Sequence, residues 1–266
     1  MYLFLNNLKS NIYKILMNKV TVVTCYYKFS SKHSIEEYDL WMNNFLQNFN
    51  CNLVIFTSPD LEQYIEQKRE KFKNNTKIII EPIDTNEIYL KYKNDWDYQY
   101  YIDNQKNTGR SKNCYIIWNS KLNYLKKVIE LNPFQTDKFV WTDIGCLRNS
   151  NSLLIEKIKN FPKYEKVSQG KLDIVLLESF KNSSQEYFQD EIHFAGAMFG
   201  SDKETILKVH KIFYEKLQKF IENKKFIGCD QQTFSSIYLT NKELFNPIIP
   251  TNSFVDVWFY LWQYYS

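Results

Sequence analysis

The chain has 266 residues, 17% of them aromatic but only 6 glycine and 6 proline, which excludes collagen-like and low-complexity chains. A net charge of +4, from 34 basic against 30 acidic residues, gives no support to a nucleic-acid surface, and nucleic acid is not expected as a partner. The five cysteines, Cys25, Cys51, Cys114, Cys146 and Cys229, form no CxxC pair, which argues against a zinc knuckle or a complete disulfide framework and for a reducing, cytoplasmic setting.

Residues 1–18 mix apolar side chains with Asn and Lys and have no small-residue cleavage signal. They are too polar to span a bilayer and read as a leader or surface helix, with weak membrane-surface contact as the alternative. Residues 19–266 read as a single domain, long enough to bury a sizeable core.

The run Lys19–Thr24 is β-branched without clean alternation, as in a strand buried on both faces. Ser34 with Glu37 predicts a capping box, and Tyr38, Trp41, Met42, Phe45 and Phe49 recur at helical spacing, so 34–49 reads as a helix. Residues 52–57 are the next strand. Pro59 and Asp60 open a charged helix through about residue 73, and 76–80 is a third strand ended by Glu81-Pro82. This βαβαβ order predicts a parallel α/β sheet whose ligands lie beyond the carboxyl ends of its strands.

The stretch 91–113 is weakly periodic and reads as a loop or lid with short helices. In 112–131, Tyr115, Trp118, Leu122, Leu125 and Ile129 line one side of a helix that Asn132-Pro133 stops. Residues 138–141 form a fourth strand delivering Thr142-Asp143-Ile144-Gly145. A helix over 153–159, a strand over 172–177 and a strand over 191–200 ending in a turn follow. Ser201, with Glu204 three positions on, caps a helix to about residue 222, and Asp230 begins another. The aromatic tail VDVWFYLWQYY needs a covering surface, in the fold or in another subunit.

Asp143 stands at a strand end beside Gly145, where a carboxylate can hold Mg²⁺ or Mn²⁺ shared with substrate phosphates, or can cap the turn. A glycine-poor chain places Gly145, Gly196 and Gly200 at two strand ends, as close packing or ligand approach requires. Asp230-Gln231 suits orienting a sugar hydroxyl and activating an acceptor hydroxyl, or capping a helix. Thr24 and Tyr26 follow the first strand, where an aromatic face can stack on a base; Trp141 offers a second such face. Arg110 and Lys121 can neutralise a diphosphate or form surface ion pairs. His193 can ligate a metal, bond a phosphate, or sit in the core. The absence of GxGxxG after the first strand, and of GxxxxGK[ST], HExxH and GxSxG, removes the signatures of dinucleotide-binding, P-loop, zinc-hydrolase and α/β-hydrolase readings.

The ordered segments Val20–Tyr27, Ile117–Lys121, Val140–Gly145, Phe194–Gly200 and Asp230–Phe234 resemble those of the HtrL/YibB family, related to the WlaTC-type glycosyltransferases, over roughly residues 19–258. The resemblance implies a GT-A-like, Rossmann-related α/β fold, its mostly parallel central sheet flanked by helices. It also implies a catalytic domain over 19–266 that moves a sugar from a nucleotide-diphosphate sugar to a glycan or glycoconjugate acceptor with Mn²⁺ or Mg²⁺. Asp143 would then hold the metal. Thr24, Tyr26, Arg110, Trp141 and Gly145 would lie toward the nucleotide donor, with Lys121 among the donor-binding groups near the Asp143 edge, and Gly196, Gly200 and Gln231 along the sugar or acceptor. Asp230, with His193, would supply the catalytic groups, Asp230 as base. Gly145 stands at the second acidic position of the usual Asp-x-Asp signature. The Asn/Lys/Ile-rich composition suits a large DNA virus, and hence the host cytoplasm, or an AT-rich bacterium. The alternatives are a non-catalytic nucleotide- or sugar-binding module, and a metal-dependent nuclease or phosphotransferase using Asp143 with Asp173 or Asp190.

Overall fold

The computed structural model describes residues 20–149, 151–181 and 185–266, so the expected leader helix lies outside the described residues. Among the described residues seven strands form one sheet: β1 (Val20–Tyr26), β2 (Asn52–Thr57), β3 (Thr76–Ile80), β4 (Lys138–Thr142), β5 (Leu172–Leu176), β6 (Phe194–Asp202) and β7 (Phe245–Ile248). Their spatial order is β3-β2-β1-β4-β6-β5-β7. Strand β1 runs parallel to β2 and β4, β2 to β3, and β5 to β7, whereas β6 is antiparallel to both β4 and β5. The result is a mostly parallel α/β sheet flanked by helices on both faces.

Both faces of the sheet are covered, which is why its central strands are uninterrupted apolar runs. Val23, Phe56, Phe139 and Trp141 face a core shared with α5 (Lys112–Leu131), α7 (Lys203–Glu222) and α8 (Asp230–Tyr238). Val22, Leu53 and Val140 face the other core, shared with α1 (Ile35–Asn48) and the C-terminal tail. The tail's partner surface is therefore within the fold: Trp262 packs on Phe161, Phe49 and Phe45 with centroids 3.8, 4.5 and 5.5 Å apart. The remaining helices, α2 (Glu62–Arg69), α3 (Glu87–Lys91), α4 (Trp96–Ile102), α6 (Ser152–Ile158) and α9 (Leu261–Tyr264), are short.

Helix α1 carries the expected capping box, Ser34 N–H to Glu37 at 2.9 Å and Glu37 N–H to Ser34 Oγ at 3.2 Å. The helix expected over 59–73 is interrupted instead. Only Glu62–Arg69 is α-helical, and the 3₁₀ turns that follow break helical geometry at Phe72. At this break the buried Arg69 guanidinium donates to the carbonyls of Leu46, Phe49 and Cys51 at 3.1, 2.6 and 3.2 Å, fastening α2 to the end of α1. Ser201 does not cap α7. Strand β6 runs on to Asp202, whose carboxylate accepts from Thr205 N–H at 3.0 Å and takes the cap, while Ser201 Oγ donates to Lys171 O at 2.6 Å. Among the described residues no helix is long and apolar enough to cross a membrane.

Candidate active site

Parallel pairing of β1 with β4 places two strand ends side by side, and the chain leaving each of them opens onto a cavity of about 460 Å³. At the β4 end, Asp143 N–H donates to Ala197 O at 2.8 Å, fixing the backbone that presents its carboxylate. Trp141 Nε1–H donates to Asp143 Oδ1 at 2.8 Å. Behind both lies Lys121, projected from the middle of α5 and only 2% exposed. Its Nζ is 3.0 Å from Asp143 Oδ1, 3.0 Å from Asp230 Oδ2 and 2.9 Å from the carbonyl of Gly196 to which it donates. The Tyr214 hydroxyl on α7 donates to Asn119 O at 2.6 Å and steadies this part of α5.

Burial opposes the charge on Lys121, but the carboxylates of Asp143 and Asp230 outweigh it and hold the ammonium above its usual range. Asp230 is held up at about 6: burial raises it most, Lys121 opposes that rise and Asp143 adds to it. The glycine at 196 makes this arrangement possible: a Cβ there would stand 2.7 Å from Asp230 Oδ2.

The cavity divides the sequence-predicted residues into three groups. Tyr26, Arg110, Trp141, Asp143, Gly145 and Gln231 line it. Lys121, Asp230 and Gly196 form the layer behind Asp143, and among the cavity's walls Asp230 is represented by its neighbours Cys229 and Gln231. Gln231 is held in place by donating to Phe194 O at 2.8 Å.

Three residues stand elsewhere. Thr24 is fully buried, its hydroxyl without a partner among the described residues. Gly200 lies on β6 against β4 and the tail, where a Cβ would stand 2.8 Å from Val140 and 3.0 Å from Tyr265, so its lack of a side chain serves packing and does not line the cavity. His193 is stacked on Phe180 at 4.0 Å, with Nδ1 3.1 Å from Glu178 O and Nε2 3.3 Å from Glu191. It is a core histidine whose ring nitrogens are both engaged, and it does not face the cavity. Asp173 is hydrogen-bonded to Ser168, Asn246 and Tyr265, and Asp190 to Asn104, so neither joins Asp143.

Sequence patterning has a blind spot at the cavity walls. Trp41 and Trp118 belong to helical apolar stripes, and nothing in that spacing separates a ring that faces a cavity from one that faces the core. Arg148 follows the β4 end by a few residues; a lone cation there is the available signal. Its guanidinium lies 4.8 Å from the Trp41 ring and 5.4 Å from that of Phe259. Burial pushes the Cys146 and Cys229 thiols up to about 12, so neither supplies a thiolate nucleophile.

A divalent ion at Asp143 fits these residues poorly. Both Asp143 oxygens are engaged, Oδ1 by Trp141 and Lys121 and Oδ2 by Lys121 at 3.2 Å. A Cβ on Gly145 would meet the rings of Trp41 and Tyr38 at 3.1 and 3.2 Å, so a carboxylate at the second acidic position would displace them. Among the described residues no group of three His, Cys, Asp or Glu side chains could hold a metal ion.

A mostly parallel α/β sheet with a charged, aromatic cavity at the carboxyl ends of β1 and β4 defines a Rossmann-like α/β protein. More particularly, the chain belongs to the HtrL_YibB family, described as bacterial protein of unknown function, whose profile matches residues 18–265. Among solved structures it is similar to the apo form of mouse xyloside xylosyltransferase 1, at 12% identity and a TM-score of 0.48 over 86% of this chain and 84% of that one. No curated protein matches it.

Proposed function

We propose that this chain is a glycosyltransferase, moving a sugar from a nucleotide-diphosphate donor to an acceptor hydroxyl of a glycan or glycoconjugate, as its resemblance to the WlaTC-type enzymes implies, with residues 19–266 as its catalytic domain. One observation carries the reading: a cavity at the carboxyl ends of β1 and β4 joins aromatic walls and a cationic rim to a single carboxylate, Asp143, held from behind by a buried ammonium. Aromatic faces suit a nucleobase, cations suit a diphosphate, and a fixed carboxylate suits sugar hydroxyls.

Within this reading Asp143 is the carboxylate that reaches the reacting groups, because its side chain is 32% exposed whereas that of Asp230 is 4%. It hydrogen-bonds the donor sugar or accepts the proton of the attacking hydroxyl. Asp230 is a positioning residue that sets the place and charge of Lys121, and through it the orientation of Asp143. Gln231 reaches the cavity wall beside them. The departing nucleotide diphosphate is stabilised by charges fixed before the reaction begins.

The test is release of free nucleoside diphosphate from a panel of nucleotide sugars, with and without glycan acceptors. Turnover of at least one donor is expected, falling about 100-fold or more in Asp143→Asn. Nucleotide binding without turnover of any donor would replace the transferase with a binding module.

A further inference from the structure

We infer that this cavity binds a nucleoside diphosphate without a bridging divalent ion: Lys121 occupies the cation position at Asp143, and Lys28, Lys32, Arg110 and Arg148 neutralise the diphosphate. The inference rests on the nucleotide-sugar reading above and deepens it.

Charge and geometry around Asp143 carry the first part. A metal shared between protein and diphosphate needs free carboxylate oxygens facing the phosphates. The oxygens of Asp143 already receive the Lys121 ammonium at 3.0 and 3.2 Å and the Trp141 indole at 2.8 Å. Lys121 cannot swing aside cheaply, since it is buried and spans Asp143, Asp230 and Gly196 O at once. A dication entering beside it would meet a positive charge about 3 Å from its own ligand, where like charges repel strongly.

The cavity walls carry the second part. Among the described residues their charged side chains are Lys28, Lys32, Arg110, Arg148 and the single carboxylate Asp143. These cations come from two directions. Lys28 and Lys32 follow β1 and meet the segment bearing Arg110, because Gly109 lies against Lys32 so closely that a Cβ on it would be 2.6 Å from Lys32 Cα. Arg148 arrives from the β4 side, stacked on Trp41. Three of the four are tethered by a carboxylate, Arg110 by Asp103 at 3.3 Å, Arg148 by Asp256 at 3.1 Å and Lys28 by Asp39 at 3.4 Å, which fixes their heads before a ligand arrives. Lys32 has no carboxylate partner among the described residues and is exposed. A planar guanidinium fork and mobile ammonium groups are the donors that bind phosphate oxygens without metal.

Isothermal titration of UDP, GDP and ADP into the full chain, in EDTA and then in excess MnCl₂ or MgCl₂, tests the inference. The same affinity in both buffers, within about threefold, is expected, together with steep weakening as ionic strength rises. Lys32→Gln and Arg148→Gln should each weaken binding about tenfold, the loss of one charge-assisted contact. Affinity that increases tenfold or more with metal, and loses that increase in Asp143→Asn, would overturn the inference while leaving the nucleotide-sugar reading intact. No binding of any nucleoside diphosphate in either buffer would overturn both. Metal-free binding without sugar transfer would keep the inference and remove only the transferase.

Discussion

Two of the buried aspartates, Asp173 on β5 and Asp230 on α8, solve the cost of burial differently. Asp173, at the start region of β5, is satisfied by neutral donors: Ser168 N–H at 2.8 Å, Asn246 Nδ2 at 2.7 Å and the Tyr265 hydroxyl at 3.0 Å. Asp230, at the first turn of α8, faces a lysine that it shares with a second carboxylate. Burial raises the pKa of both. The difference lies in what the surroundings are organised around. The Asp173 donors join the sheet to the C-terminal tail and close on themselves, so the group is spent on structure. The Lys121 cluster leaves one of its carboxylates open to a cavity, which is the arrangement a reacting ligand requires.

Removing the centre of the second cluster should have the largest effect. Lys121→Met leaves two carboxylates facing each other without their counter-charge, and breaking such a buried pair from one side costs about 3–5 kcal/mol. Urea denaturation would read this as a lower midpoint, and nucleotide binding should fall with it. Asp143→Asn keeps the shape and most hydrogen bonds of the site, so its effect belongs to turnover, about 100-fold or more, with a thermal midpoint close to wild type. Asp173→Ala should show the opposite split: a loss of about 1–3 kcal/mol from the unsatisfied donors it abandons, with unchanged nucleotide affinity in the folded protein. Lost nucleotide affinity in a folded Asp173→Ala protein would erase the distinction between the two aspartates.

The sequence exposes these two clusters unequally. Asp143 and Asp230 stand out locally, one after an apolar strand and beside a glycine, the other opening a helix. Strands β1 to β4 and the Ser34–Glu37 capping box are visible for the same reason: the signals lie within a few residues. The role of Lys121 is not visible in this way. Its spacing on α5 says only that it lies near an amphipathic boundary, and its burial follows from long-range packing against β4 and β6. His193 and Gly200 mislead through a related limit: both belong to or adjoin the glycine-rich β6 segment, yet His193 packs among aromatic rings and Gly200 against Val140 and Tyr265. Strand direction is equally hidden: the antiparallel course of β6 is decided by how the chain returns to the sheet, and an apolar run reads alike in both directions.

The smallest expected effect concerns protonation of Asp230 and sharpens the contrast with Asp173 most directly. Its pKa of about 6 in the folded chain lies above the ordinary unfolded value of about 3.9, so the folded state binds this proton more tightly. The resulting stabilisation is fully present below about pH 4 and is lost as pH rises through about 6. An amide at this position cannot titrate. The thermal midpoint of wild type minus that of Asp230→Asn should therefore increase as pH is lowered from about 7 to about 4, other groups cancelling in the subtraction. Turnover supplies a readout that a purely structural residue would not move. Protonating Asp230 releases half of the hold on Lys121, so kcat should fall on the acid side of about pH 6 in wild type, and this acid limb should be missing from the residual activity of Asp230→Asn. A flat difference in thermal midpoint with an unchanged acid limb would mean that Asp230 is as closed a structural group as Asp173.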